Sequence, residues 1–184
     1  QTANDKEPMQ PTSAVPVTSS TDSRCVSQAV IQQIISECCE NGAHDQVQIL
    51  SVLQRELLHG RKLDLTEHDP TCEGETNYIC VNRDDILKTT LNELESLTDF
   101  CITFEVDFMG EMASDLGGPR KEWIRHVNHA IKEKYFDHGL LCYCANDYFF
   151  VGLTMGIALL QNGQLPRFLP EDIIAQLVKP TNDP

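Results

Sequence analysis

The sequence predicts a mainly helical α+β fold, with amphipathic helices set around a short strand element. Three observations carry that prediction. Ile102, Phe104, Val106 and Phe108 alternate with polar residues across 101–109, the period of a half-buried strand. Apolar residues recur at helical spacing in several stretches on either side of it. Directly after the strand, Gly117-Gly118-Pro119 turns the chain into the next helix. Glycine admits positive φ, and proline suits the first helical turn, where its missing N–H has no partner to lose.

The elements follow in order. Residues 1–22 are rich in Pro, Ser, Thr and Gln without periodicity and read as a disordered leader or linker. A helical hairpin is expected over 23–60. Its first helix is capped by Thr21, Asp22 or Ser23, presents Val26, Val30, Ile34 and Cys38 flanked by Ile31 and Ile35, and ends at Asn41-Gly42. Its second is capped by Asp45, carries Ile49, Leu50, Leu53 and Leu57, and closes at His59-Gly60, with Arg55, Arg61 and Lys62 at the end where positive charge favours the dipole. Residues 61–77 are polar, contain Asp69-Pro70 and Gly74, and read as a loop.

Tyr78-Ile79-Cys80-Val81 is a short extended segment, and Asn82 with Asp85 marks the start of a helix over 83–97 with Leu87, Leu91 and Leu94 on its face. After the strand at 101–109, the helix opened by Pro119 runs towards Phe136 on a stripe of Trp123, Val127, Ala130, Ile131 and Tyr135, with Ile124 beside it. The stretch Tyr148–Gln161 is apolar nearly all round, which predicts a helix buried within the fold, with Gly152 and Gly156 offering a flat side to another backbone. A last helix starts at Pro170 and carries Ile173, Ile174, Leu177 and Val178.

With 184 residues, 41% of them hydrophobic, the chain is long enough for a globular core with a tail. It carries 28 acidic against 14 basic residues, a formal net charge of −14, which disfavours phosphate backbones and anionic membranes as partners. Residues 1–30 lack the basic-then-apolar order of a secretory signal, and the apolar run Tyr148–Leu160 is shorter than the ~20 residues a membrane helix needs. The expectation is an intracellular protein of cytoplasm or nucleus. The first residue is Gln, which together with the abrupt C-terminus points to a fragment.

Eight cysteines stand at 25, 38, 39, 72, 80, 101, 142 and 144. Most continue an apolar pattern, as buried reduced thiols do. Neither Cys38-Cys39 with His44 nor Cys142-x-Cys144 has the spacing of a structural zinc site, so no metal and no cofactor are expected. His126, His129 and His138 lie near Cys142 and Cys144 in sequence, but proximity alone makes no nucleophilic pair. Around the glycine turn, Asp115, Arg120 and Glu122 fit a structural role, with Asp115 accepting backbone N–H groups and Arg120 tying the turn to the strand side. Glu105 and Asp107 read as the strand's solvated face. No Gly-Lys-Ser/Thr follows the glycines, so this is no phosphate loop.

The same stretches carry a family resemblance. Tyr78-Ile-Cys-Val-Asn-Arg-Asp-Asp-Ile-Leu87 resembles the opening of a HECT ubiquitin-ligase domain, where an extended segment with a basic residue leads into a first helix. Phe104-Glu-Val-Asp-Phe-Met-Gly-Glu111 resembles the family's strand ending in Gly-Glu. Asp115-Leu-Gly117-Gly118-Pro-Arg120-Lys-Glu122-Trp123 resembles its Asp-x-Gly-Gly-x-x-Arg/Lys-Glu-aromatic signature, and Tyr148–Leu160 is similar to the apolar helix that follows. The run from Leu160 to Leu169 and the hairpin upstream look like a divergent animal branch.

The resemblance implies that 78–184 is the first part of a HECT N-lobe. It also implies a mechanism, in which ubiquitin passes from a conjugating enzyme to a ligase Cys as a thioester and then to a substrate lysine. That Cys belongs to a C-terminal lobe, and the conjugating-enzyme surface lies later in the N-lobe, so no catalytic residue is expected within this chain. Thr71-Cys72 echoes the Thr-Cys around the nucleophile but precedes the domain. Asp115, Gly117, Gly118, Arg120, Glu122 and Trp123 are then structural markers of the family. The alternative is a non-catalytic interaction module derived from a truncated ligase.

Overall fold

The computed structural model describes residues 26–65, 73–112, 117–137 and 147–177. Within them the order is α1 (Gln28–Glu40), α2 (Gln46–Leu57), β1 (Asn77–Val81), α3 (Ile86–Ser96), β2 (Phe104–Phe108), α4 (Gly118–Ile131), a π-helical turn (Lys132–Phe136), α5 (Asp147–Leu160) and α6 (Glu171–Leu177). The fold is α+β and mainly helical. The expected leader at 1–22 lies outside the described residues.

The two strands pair in parallel, with Asn77 opposite Phe104 and Val81 opposite Phe108. A parallel pair needs a crossover, and α3 supplies it. The period-2 pattern of β2 holds: Phe104, Val106 and Phe108 are buried. They meet Ile79 and Val81 of β1, Leu94 of α3, the Trp123–Val127–Ile131 stripe of α4 with Tyr135, and Val151, Ile157 and Ala158 of α5 in one core. Glu105 and Asp107 are not simply solvated. Glu105 accepts from Thr76 Oγ1 at 3.0 Å and pairs with Arg61 at 3.1 Å, while Asp107 accepts from the Tyr78 hydroxyl at 3.1 Å. Arg61, expected beside the α2 dipole, is thereby drawn inside, and the segment 61–65 is part of the packed structure.

Sequence expectations shift at several boundaries. Helix α1 starts at Gln28, where Ser27 accepts from Val30 N at 3.4 Å, so Val26 precedes the helix rather than lying on its face. Asp45 caps α2 as predicted, accepting from Val47 N at 3.2 Å. That helix ends at Leu57, and the chain then straightens so that His59 bridges Ile102 in parallel. Asn82 makes a turn by accepting from Asp84 N at 2.9 Å, and α3 begins only at Ile86.

The largest correction concerns α5. Its composition predicted burial all round, yet Phe149, Gly152, Gly156 and Leu159 are exposed and no atom approaches Gly152 or Gly156 among the described residues. One face, Val151–Thr154–Ala158, carries its packing. At its end, fully buried Gln161 accepts from Phe104 N at 2.8 Å and donates to Ile102 O at 3.0 Å, standing beside β2 where a third strand would run.

The hairpin is joined to this body mainly through α2. Val52 is buried, and Gln54 Nε2 donates to Leu160 O at 2.9 Å and Asn162 Oδ1 at 2.7 Å.

Candidate functional site

The glycine turn takes the predicted shape. Gly117 is the N-cap of α4 at φ 110°, a left-handed conformation. A Cβ there would sit 2.7 Å from Asp64 Oδ1 and 3.2 Å from Leu63 O, so this position demands glycine on both counts. Gly118 opens the helix and Pro119 follows within the first turn.

Arg120 is fully buried. It was expected to reach the strand; instead its guanidinium donates to Leu63 O and to Asp64 Oδ1 at 3.3 Å, pinning the turn to the segment that leaves the hairpin. Lys121 adds a 2.9 Å pair to the same carboxylate. Burial pushes the Asp64 carboxyl up, but the Lys121 hydrogen bond and the Lys121 and Arg120 charges outweigh it and hold the group below its ordinary value. Asp115, the expected acceptor in this turn, lies outside the described residues.

Trp123 is buried, stacks on Phe104 with centroids 5.5 Å apart, and donates from Nε1 to Thr90 Oγ1 at 2.9 Å. An indole in a core needs an acceptor, and a threonine on an otherwise apolar helix face provides it. Glu122 points the other way, to Arg83. That guanidinium donates to both Glu122 oxygens at 3.0 and 3.1 Å, and also to both Glu111 oxygens, one of them at 3.0 Å. It lies 3.8 Å above the Phe108 ring. The hydrogen bonds from Arg83 hold both carboxyls below the usual carboxylate range, and the two carboxylates push Arg83 up in return. His126 Nε2 sits at the edge, 3.5 Å from Glu122.

Arg83, Glu111 and Asp64 were not singled out as site residues. Arg83 and Glu111 stood in quoted motifs, but only the parallel strand pairing brings the ends of β1 and β2 together beside α4. What the cluster does chemically is hold three segments in register. Every carboxylate in it is engaged by a cation.

Of the described thiols, Cys80 and Cys101 show no nucleophilic setting. Burial pushes Cys80 and Cys101 up, and nearby Asp107 and Asp99 push them the same way. Cys38 and Cys39 are free thiols on α1. Cys25, Cys72, Cys142, Cys144 and His138, and with them the Cys–His pairing considered from sequence, lie outside the described residues. Among the described residues no three His, Cys, Asp or Glu side chains gather as a metal site. No helix among them is long and apolar enough to cross a membrane. No family model matches this chain, and no curated protein matches it.

Proposed function

We propose that residues 78–184 are the first part of the N-lobe of a HECT-type ubiquitin-protein ligase, in an intracellular protein of cytoplasm or nucleus. The observation that supports the reading most is the Arg83 junction. Three stretches resembling separate HECT motifs contribute Arg83, Glu111 and Glu122, and one guanidinium joins them. The alternating strand and the glycine-capped helix agree with it. Free thiols at Cys38, Cys39, Cys80 and Cys101 fit a reducing compartment.

On this reading the chain positions rather than reacts. Ubiquitin and a conjugating enzyme are partners of the whole domain, and thioester chemistry belongs to a Cys in a later lobe. The test uses ubiquitin-activating enzyme, charged conjugating enzyme and ubiquitin, with this chain and with the product of the full reading frame. The full product should form a reductant-sensitive ubiquitin adduct at a Thr-Cys near its end, and this chain should form none. An adduct on this chain, or a reading frame that stops soon after Pro184, overturns the proposal.

That second outcome is the one the non-catalytic interaction module requires. The exposed apolar groove between α1 and α2, lined by Ile31, Ile35, Ile49 and Leu53, is the observation on its side.

A further inference from the structure

A cleft of about 500 Å³ lies where α4 and the π-helical turn meet the connection between α5 and α6. Arg125, Lys132 and Arg167 line it, together with the imidazoles of His126 and His129, and no carboxylate is among its lining residues that the structure describes. In a chain with 28 acidic and 14 basic residues such a wall stands against the overall balance. The carboxylates that face these groups come from outside the lining. Glu122 is 3.6 Å from Arg125 but already shared with Arg83 and His126, Glu133 meets His129 at 3.4 Å, and Asp137 meets Lys132 at 2.9 Å. Arg167 makes no side-chain hydrogen bond or ion pair among the described residues.

The rest of the lining has the form of a peptide seat. Leu165 and Phe168 supply an apolar floor, with Phe168 held against Phe136 at 5.4 Å between centroids. Asn128, 95% buried by its 5% exposure, fixes the wall by donating to Gln164 O at 2.6 Å. Its Oδ1 has no hydrogen-bond partner among the described residues.

We propose that this cleft docks a short acidic peptide segment of a partner protein, its carboxylates on Arg125 and Arg167 and an apolar side chain on Leu165 and Phe168. Scale separates this occupant from a nucleic acid. Charges beyond the Debye length of about 8 Å at physiological salt are screened, so a short segment responds to the cleft's own cations. A long phosphate backbone runs on across a surface whose net charge is −14. The inference is independent of the ligase reading.

The full chain tests it, with a fluorescein-labelled peptide of Asp and Glu around a central Leu-Phe pair followed by anisotropy. Saturable binding is expected, at least tenfold tighter than for the same peptide carrying Asn and Gln. Arg167→Glu and Arg125→Glu should each weaken it roughly fivefold or more. Lys88→Glu, the same charge change on exposed α3, should leave it unchanged. Absence of saturable binding, equal binding of the neutral peptide, or a Lys88→Glu loss as large as that of Arg167→Glu overturns the proposal. Binding of an acidic peptide to so acidic a protein has no general electrostatic explanation, which makes the positive result specific.

Discussion

The hairpin α1–α2 and the unit β1–α3–β2–α4 are written in the same pattern and end in opposite states. Both contain amphipathic helices, although only those of the hairpin are capped by a side chain, Ser27 and Asp45. In the hairpin only Ile34 and Val52 are buried, while Ile31, Ile35 and Val47 stay exposed. In the other unit Ile79, Val81, Leu94, Phe104, Val106, Trp123 and Val127 lie in one core. Periodicity therefore states which face of a helix seeks cover, and says nothing of whether cover is supplied. The strand pair makes the difference. It gives α3 and α4 a common surface, whereas α1 has chiefly α2 to lean on.

Trp123→Ala should break the contrast most strongly. It empties the centre of the core and leaves the Thr90 hydroxyl without its donor, at a cost of about 3–5 kcal/mol. Urea denaturation should show a correspondingly lower midpoint, and a loss under about 1 kcal/mol would mean that the core is as loosely filled as the hairpin.

Gln161→Leu comes next. It keeps the apolar volume but strips the Phe104 N–H and the Ile102 carbonyl of their partner, a cost of about 1–3 kcal/mol. The same denaturation series measures it, and Gln161→Glu, which keeps the acceptor, should spare the Phe104 bond alone.

Acid sharpens the comparison further. Glu111 and Glu122 have folded-state values held below the ordinary 4.5 by Arg83. Their contribution is therefore fully present above that value and is lost as pH falls through the depressed ones. Arg83→Met retains a stem over Phe108 but removes both pairings, so its thermal midpoint should lie below that of the parent near neutrality and converge with it in acid. A gap between the two that stays constant with pH would show that the cluster contributes nothing through charge.

Ile35→Glu should matter least. The residue is half exposed, and a change within about 0.5 kcal/mol is expected. Binding of a hydrophobic dye should fall in the same variant. A large loss of stability would reveal that the hairpin's groove is covered after all.

Much of the fold was legible because it rests on local physics. The alternation of β2, the cap at Asp45, the left-handed Gly117 and the stripe from Trp123 to Tyr135 each depend on residues close in sequence. What escaped depends on distant partners. Thr90, Asn128 and Gln161 are polar types that sequence reasoning gives no partner, and all are buried because an indole, the Gln164 carbonyl and a strand end await them; Arg120 was given a tie, but to the strand rather than to the Leu63 carbonyl it meets. The outer face of α5 failed in the opposite direction: its apolar letters carry no record of how many neighbours arrive. The candidate site was half visible. Its glycines, Arg120, Glu122 and Trp123 were marked, but Arg83 and Glu111 acquire their meaning only through the parallel register.

Gln161 also decides how the sheet breathes. Amide hydrogens in a strand exchange with solvent when their acceptor leaves, and the acceptor for Phe104 sits 57 residues further along the chain. The Phe104 amide is therefore released by undocking of the α5 end, even while β1 and β2 remain paired, and its exchange rate reports on a helix rather than on the strand that contains it.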